Sequence, residues 1–335
     1  MAAKVKVGVF GASGYAGQDV VEIITHHPQT QLVFGTSNTY AGQDIPFADG
    51  LKYIPHEQAD LAGVDAVFLA LPHKASAPMA AKARTLGKKV VDLSADLRLD
   101  TTESYQKWYG AAHPNPELLP VPYGLPEFNR DKLKGVDLVA APGCYPTTTL
   151  LGVAPVLRHD WLVNDLPIIV DAKSGVSGAG REPKANTHFV EVYSNLSPYG
   201  VGRSHRHVGE IEQEMHKLNP NAGLLIFTPH LLPVDRGLMA SIYVALKPEY
   251  SADDAQSLYE ETYANEPLIK VLPAGQLATL KHVVRTNGAA ISLTPITERY
   301  LHITSVTDNL RKGASGQAVQ CFNLMYGFPE TTALL

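Results

Sequence analysis

Residues 143 to 147 read GCYPT and set one of the chain's two cysteines between a glycine and TTTLLGVAPVL, whose apolar residues suit a helix. The strand-like DLVAAPG ends at that glycine. Cys144 is therefore expected at a strand end and a helix N-terminus, where unpaired N–H groups and the helix dipole stabilise a thiolate. The same N–H groups would hold the oxyanion formed when a thiolate attacks a carbonyl. Cysteine is otherwise a small core hydrophobe, and that is the reading for Cys321, whose neighbours in SGQAVQCFNLMYGF are helical and apolar. A thiol nucleophile calls for a base. Among 13 histidines, the unusual cluster is VGRSHRHVGEIEQEMHKL, with His205, Arg206 and His207 just ahead of a helical pattern and Arg203 nearby. Cations at a helix start oppose its dipole, so an anionic substrate is one reason for them. A metal pair and a solvated turn are the others, though H-x-H without a nearby third ligand is weak for zinc.

The elements that must hold these groups begin at the N-terminus. KVKVGVF is a short strand, GASGYAG a glycine turn, and YAGQDVVEIITHH has apolar residues at helical spacing. The turn reads G-x-x-G-x-x-G at Gly11, Gly14 and Gly17, a variant of the dinucleotide fingerprint in which backbone N–H groups approach a pyrophosphate at the helix start. Ser13, Tyr15 and Ala16 share that turn. QLVFGTS, DAVFLALPH, KKVVDLS and DLVAAPG follow as strand-like runs, with the helical SAPMAAKARTL between two of them. A Rossmann-type, doubly wound parallel sheet of the α/β class is expected, with ligands beyond the carboxyl ends of its strands. Leu71, Pro72 and Ser94 fall in those loops and join the cofactor candidates. NAD-preferring sites carry an acid about 20 residues after the glycine turn, whereas the second strand here ends GTSNTYAG. Ser37 and Asn38 could bond a 2′-phosphate, which favours NADP.

The middle of the chain reads differently. PIIVDAKSG, GLLIFTPHL, LMASIYVALK, AAISLTPIT and LHITSVTDN are strand-like, interrupted by the helix ADDAQSLYEETYANEP behind a Ser251 cap. With few helices between them, these runs predict an α+β domain with a mostly antiparallel sheet, whose open face is a natural subunit interface. DNLRKGASGQAVQ then offers Asn309, Lys312 and Gly313 before a final helix.

Composition narrows the partners. The 335 residues are 45% hydrophobic and 18% charged, with a formal net charge of −5, so two ordinary cores fit and no basic stripe points to nucleic acid or an anionic membrane. No apolar run approaches the roughly 20 residues of a membrane span. MAAKVKVGVFGASG runs straight into a strand, which predicts a cytoplasmic protein, and two cysteines make no disulfide framework. A small-molecule substrate and a homo-oligomer, dimer or tetramer, are the expected partners.

GASGYAG, LALPH, DLSADLRL, YGLPE, APGCYPT, SGVSGAGR, HRHVGEIEQ, PHLLPVDRG and DNLRKGASGQAVQ occur in an order that resembles the N-acetyl-gamma-glutamyl-phosphate reductases, a family of the semialdehyde dehydrogenase class. The resemblance covers essentially the whole chain and implies a NADP-binding domain over 1–143, completed by a C-terminal helix over 313–335, and a catalytic and dimerisation (oligomerisation) domain over 144–312. It implies NADPH-dependent reduction of an acyl phosphate to an aldehyde in arginine biosynthesis, with Cys144 as nucleophile and His205 as acid/base. It implies that Ser174, Gly175 and Gly178 flank the active site, with Ser174 and Gly175 on the cofactor and Ser174 and Gly178 on the substrate, that Arg98, Arg206, His207 and Arg236 meet substrate, and that the loop of Asn309, Lys312 and Gly313 returns to the cofactor. In that scheme the thiolate displaces phosphate, hydride reduces the thioester, and the thiohemiacetal releases N-acetylglutamate 5-semialdehyde. His205, with a pKa near neutrality, would shuttle the proton; no metal is required. A relative acting on a carrier-linked aminoadipyl phosphate in lysine biosynthesis would share these motifs. Aspartate semialdehyde dehydrogenase shares the fold and the chemistry, and a non-enzymatic NADP(H)-sensing protein is the alternative from another class.

Overall fold

The computed structural model describes residues 3–335. The chain opens with β1 (Val5–Phe10), α1 (Tyr15–His26), β2 (Thr30–Gly35), β3 (Ala66–Leu69), α2 (Ser76–Thr85), β4 (Lys89–Asp92), α3 (Thr102–Tyr109), α4 (Pro126–Leu133) and β5 (Leu138–Ala140). It continues with α5 (Cys144–Arg158), β6 (Ile168–Gly175), α6 (Phe189–Val192), β7 (Ser197–Pro198), α7 (His207–Leu218), β8 (Leu225–Leu232) and β9 (Leu238–Ala245). Then come α8 (Ala252–Tyr263), β10 (Ile269–Val271), β11 (Ala289–Pro295), β12 (Tyr300–Thr307) and α9 (Gly316–Tyr326). Two compact units result, residues 1–143 with 314–335, and residues 144–313.

The first unit is a five-stranded sheet in the order β2-β1-β3-β4-β5, with every pairing parallel. Strands covered on both faces read as continuous apolar runs, and all four residues of β3, AVFL, are buried. The order reverses between β1 and β3, so the crevice that binds ligands in such sheets lies at the carboxyl ends of these two strands. α9 closes this unit against α1 and β4. Its Phe322 sits 5.4 Å from the ring of Phe68, and its fully buried Cys321 donates Sγ–H to the Gly124 carbonyl. Helices α3 and α4 are additions that strand-and-turn reading passed over.

The second unit is a seven-stranded sheet, β10-β11-β12-β9-β6-β8-β7. Its pairings are antiparallel except for β10 with β11 and β6 with β8. One face carries α5, whose residues from Tyr145 to Leu157 are all buried, as an all-round apolar helix must be. Gly152 lets α5 come close to the strands, since a Cβ there would lie 2.5 Å from Ile242 Cδ1. Pro155 removes the N–H that the Leu151 carbonyl would bond inside the helix. Tyr263 of α8 donates its hydroxyl to that carbonyl at 2.6 Å, and Tyr259 donates to the carbonyl of Gly152. α8 itself starts with a capping box of Ser251 and Asp254.

Candidate active site

Cys144 is the first residue of α5 and half-buried. No acid stands in the first turn of the helix, so no carboxylate of that turn offsets the positive end of the dipole near the thiol. Thr148 Oγ1 donates to the Cys144 carbonyl at 2.9 Å and meets Thr307 Oγ1 of β12 at 2.7 Å, which fastens this turn to the sheet. The loop after β12 presses on the cysteine from another side: a Cβ on Gly313 would lie 2.9 Å from Cys144 Cβ. Only glycine fits so close an approach.

Cys144 lines a cavity of about 490 Å³ together with Tyr145, Ser174, Gly175, Gly178, His205, Arg206 and His207. Seven of the residues singled out by sequence therefore share one space within the second unit. Ser174 is buried at the end of β6, and a Cβ on Gly178 would lie 2.9 Å from its hydroxyl oxygen. Asn309 works behind this wall: Oδ1 accepts from the Gly237 N–H at 2.8 Å, and Nδ2 donates to Ser177 Oγ at 2.9 Å. Arg236 does not line the cavity; its Nη1 stands 3.6 Å from Asp308 Oδ1. Lys312 is fully buried in the π-helical turn Arg311–Ser315 that leads into α9.

Sequence reading missed part of the lining, where Lys184, Asn186, Thr187 and Tyr199 come from the excursion between β6 and α7. The basic and polar GREPKANT directly after the glycine loop was the available signal. Lys184 is exposed, and its ammonium donates to the Ala179 carbonyl at 3.5 Å. Arg203, expected to await an anion, is matched inside the protein instead. It makes a two-pronged pair with Glu212 at 2.7 and 2.8 Å and also donates to the Leu225 carbonyl.

His205 departs from the near-neutral shuttle expected of it. Its ring lies among those of Tyr145 at 5.8 Å, Tyr199 at 5.4 Å, Phe227 at 5.5 Å and His207 at 4.8 Å. Burial, helped by the neighbouring Arg206 cation, pulls its pKa down to about 4. His207 supports it from the backbone, its N–H donating to His205 Nδ1 at 3.1 Å. Burial likewise pushes the Tyr145 phenol up, beyond any physiological range. That hydroxyl donates to the His230 carbonyl and accepts from Tyr199.

The first unit holds the other candidates. Gly11 turns with φ +72° at the end of β1, and a Cβ there would lie 2.2 Å from the Ala70 carbonyl oxygen; on Gly17 it would lie 2.2 Å from that of Gly11. At Gly14 it would meet only the Gly11 carbonyl oxygen, at 3.5 Å. Space is thus left open over the N-terminus of α1, which has no side-chain cap and no acid in its first turn. Backbone N–H groups at Tyr15 and Ala16 with open space before them fit a pyrophosphate. Ser315 fastens the turn by donating to the Ala16 carbonyl at 2.8 Å. After β2, Ser37 is buried and accepts from Ser13 Oγ at 2.8 Å. Asn38 is exposed, and its Oδ1 accepts from the His56 N–H. Leu71 and Pro72 follow β3 at the reversal point. Ser94 donates to Asp92 and accepts from the Asp96 N–H, and Arg98 donates to the carbonyls of Ala141 and Leu93. Both side chains thus hold loops of their own unit. Asp96 does the same, taking the N–H groups of Lys74, Ser76 and Ala77 at the start of α2.

Comparison with known proteins gives this arrangement relatives. Residues 6–136 match the family model "Semialdehyde dehydrogenase, NAD binding domain", and residues 144–309 match "Semialdehyde dehydrogenase, dimerisation domain". The N-acetyl-gamma-glutamyl-phosphate reductase of Moorella thermoacetica is 44% identical over 98% of each chain. That of Desulforudis audaxviator is 43% identical over 99% of this chain and 98% of its own. Among solved structures, aspartate semialdehyde dehydrogenase II of Vibrio cholerae, complexed with ASA, superposes with a TM-score of 0.77 at 19% identity, covering 97% of this chain and 99% of that one. Aspartate semialdehyde dehydrogenase of Candida albicans, solved with NADP, gives 0.69 at 15%, with coverage of 97% and 99%. Likeness at this identity speaks for the fold, a Rossmann-type domain joined to a mixed, mostly antiparallel one.

Proposed function

We propose, on the premise that this chain belongs to the semialdehyde dehydrogenase family and within it to the N-acetyl-gamma-glutamyl-phosphate reductases, that it reduces N-acetyl-gamma-glutamyl phosphate with NADPH to N-acetylglutamate 5-semialdehyde and phosphate, a step of arginine biosynthesis. The observation that carries the reading is Cys144 as the first residue of α5, in one cavity with His205 and the cationic Arg206 and Lys184.

In this reading the Cys144 thiolate attacks the acyl carbon, held ready by the dipole of α5. Arg206 and Lys184 take the anionic groups of the substrate. The walls of Tyr145 and Tyr199 keep the thioester from water. Ser174, Gly175 and Gly178 frame the reacting carbon, and Asn309 and Gly313 hold that frame against Cys144. Bound NADPH supplies the hydride that reduces the thioester. The first unit takes the dinucleotide, with Gly11, Ser13, Gly14, Tyr15, Ala16 and Gly17 on its pyrophosphate, Leu71 and Pro72 beside it, and Ser37 and Asn38 toward the 2′-phosphate. Absence of an acid after β2 supports NADPH over NADH. Introducing a carboxylate there by Ser37→Asp is expected to lower kcat/KM for NADPH and narrow or reverse the preference for it; an unchanged ratio of the two cofactors would overturn the assignment.

A reducing, cytoplasmic setting keeps Cys144 as a thiol, and the second unit makes the chain a homo-oligomer. The deciding assay is phosphate-dependent reduction of NADP by N-acetylglutamate semialdehyde, run beside aspartate semialdehyde and, in the forward direction, beside a carrier-linked aminoadipyl phosphate. Preference for either alternative overturns the substrate; binding of NADP(H) without turnover overturns the enzyme.

A further inference from the structure

We infer that His56 completes the site for the adenosine 2′-phosphate of the dinucleotide, as an Nε2–H donor that distinguishes NADP(H) from NAD(H). The inference rests on the reading that the first unit takes NADPH, and it concerns how that unit recognises the phosphate. Its starting point is a charge that the loop after β2 does not balance alone. Ser37 is buried and Asn38 exposed, and both side chains are uncharged. From Thr30 to Leu61 the basic residues are Lys52 and His56. Lys52 is engaged elsewhere: its ammonium pairs with Asp44 at 3.0 Å and donates to the Gly42 carbonyl at 3.2 Å. His56 is the one held against the loop.

Several contacts hold it there. The Ser37 N–H donates to the Ile54 carbonyl at 2.9 Å and the Ile54 N–H to the Gly35 carbonyl at 3.1 Å. The segment that carries His56 thus runs parallel to the end of β2, with Ile54 bridged to Thr36. The His56 N–H donates to Asn38 Oδ1 at 2.9 Å. Its ring stacks on Phe10, the last residue of β1, with centroids 6.2 Å and planes 29° apart.

Thr36 decides which nitrogen of the ring carries the proton. This residue is fully buried, and its hydroxyl oxygen accepts from the Gly11 N–H at 3.2 Å. The hydroxyl proton then has His56 Nδ1 as its acceptor, at 2.7 Å. Nδ1 therefore presents a lone pair, and the proton of the neutral ring sits on Nε2. Burial lowers the pKa of the ring, with Glu57 opposing, so the ring is uncharged at neutral pH. Nε2 bonds no group among the described residues. The half-buried ring thus offers one N–H next to the loop of Ser37 and Asn38. A phosphate monoester accepts such a donor more strongly than the uncharged 2′-hydroxyl of NAD(H) does. Thr36 also ties Gly11 of the glycine turn, so the turn for the pyrophosphate and the donor for the 2′-phosphate share one anchor.

Calorimetry on the full chain, without turnover, compares NADP with NAD and 2′,5′-ADP with 5′-AMP. His56→Leu is expected to raise Kd for NADP and 2′,5′-ADP roughly 10- to 100-fold, as for loss of a hydrogen bond to a charged group, while NAD and 5′-AMP change by less than about 3-fold. His56→Gln, which keeps an N–H donor, should recover part of that loss. Equal losses for both members of a pair would overturn the inference. The wild-type protein gives a second reading that no failure to fold can disturb. In ¹⁵N spectra of labelled histidine, His56 is expected as a neutral Nε2–H ring whose Nε2 signal moves with 2′,5′-ADP and stays in place with 5′-AMP. An Nδ1–H ring, or equal movement with both nucleotides, would sink the idea. A wild type that binds NADP no more tightly than NAD would overturn the preference for NADPH and this inference with it. A wild-type preference that persists in His56→Leu would overturn this inference alone.

Discussion

Cys144 is half-exposed at the positive end of a helix, whereas Cys321 is fully buried with its sulfur bonded to the Gly124 carbonyl, so access as well as charge separates the two thiols. Cys144→Ser is expected to abolish turnover while NADPH still binds, measured as fluorescence enhancement of the dinucleotide. Alkylation of the native protein should reach Cys144 before Cys321. Retained activity in the serine variant, or first labelling of Cys321, would show that the nucleophile is elsewhere. His205 carries a second consequence. Its pKa in the folded protein, about 4, lies below the ordinary value of 6.5, so the unfolded chain takes up this proton first as pH falls. The stability that goes with neutral His205 is therefore fully present above about 6.5 and is lost as pH drops toward 4. Tm of His205→Gln should fall less steeply than that of the wild type over this window. Equal slopes would mean that burial does not hold the ring neutral.

At the scale of elements, α5 has to deliver Cys144 to the cavity despite Pro155 in its last turns, and α8 makes this possible. Tyr263→Phe leaves the Leu151 carbonyl buried and unbonded, which costs about 1–3 kcal/mol. Urea unfolding should show that loss in the midpoint with little change in slope; a variant as stable as wild type would mean that the carbonyl finds another donor. The helix was legible from TTTLLGVAPVL because an unbroken apolar run after a strand admits few other structures. The hydroxyls of Tyr259 and Tyr263 were not legible, because they act across more than 100 residues of chain. The HRH cluster shows the same division. Its position just ahead of α7 was plain from the pattern of VGEIEQEM, but the pairing of Arg203 with Glu212 and the bond from His207 N–H to His205 depend on the path of one tight turn.

For the whole molecule, one face of the second sheet carries α5, α7 and α8, and the other turns Ile226, Ile169 and Tyr243 outward in one row of paired residues, each more than a third exposed. An apolar row on a sheet face, in the segment that matches a dimerisation domain, is where a second copy would dock. Ile226→Asp combined with Tyr243→Asp is expected to shift the protein toward monomers in light scattering, and an unchanged mass would place the interface elsewhere. Among the described residues no helix is long and apolar enough to cross a membrane. The sequence by itself determined the doubly wound sheet, the strands of the second domain, and Cys144 at a helix start, because periodicity, glycine turns and strand–helix junctions are local properties of the chain. Only the tertiary structure decided what each site residue is free to do. It occupied Arg98, Ser94 and Arg203 with internal bonds, brought Lys184 and Tyr199 to the wall, and turned His205 into a ring held neutral. Burial and hydrogen-bond partners are set by residues distant in the chain, and no local pattern encodes them.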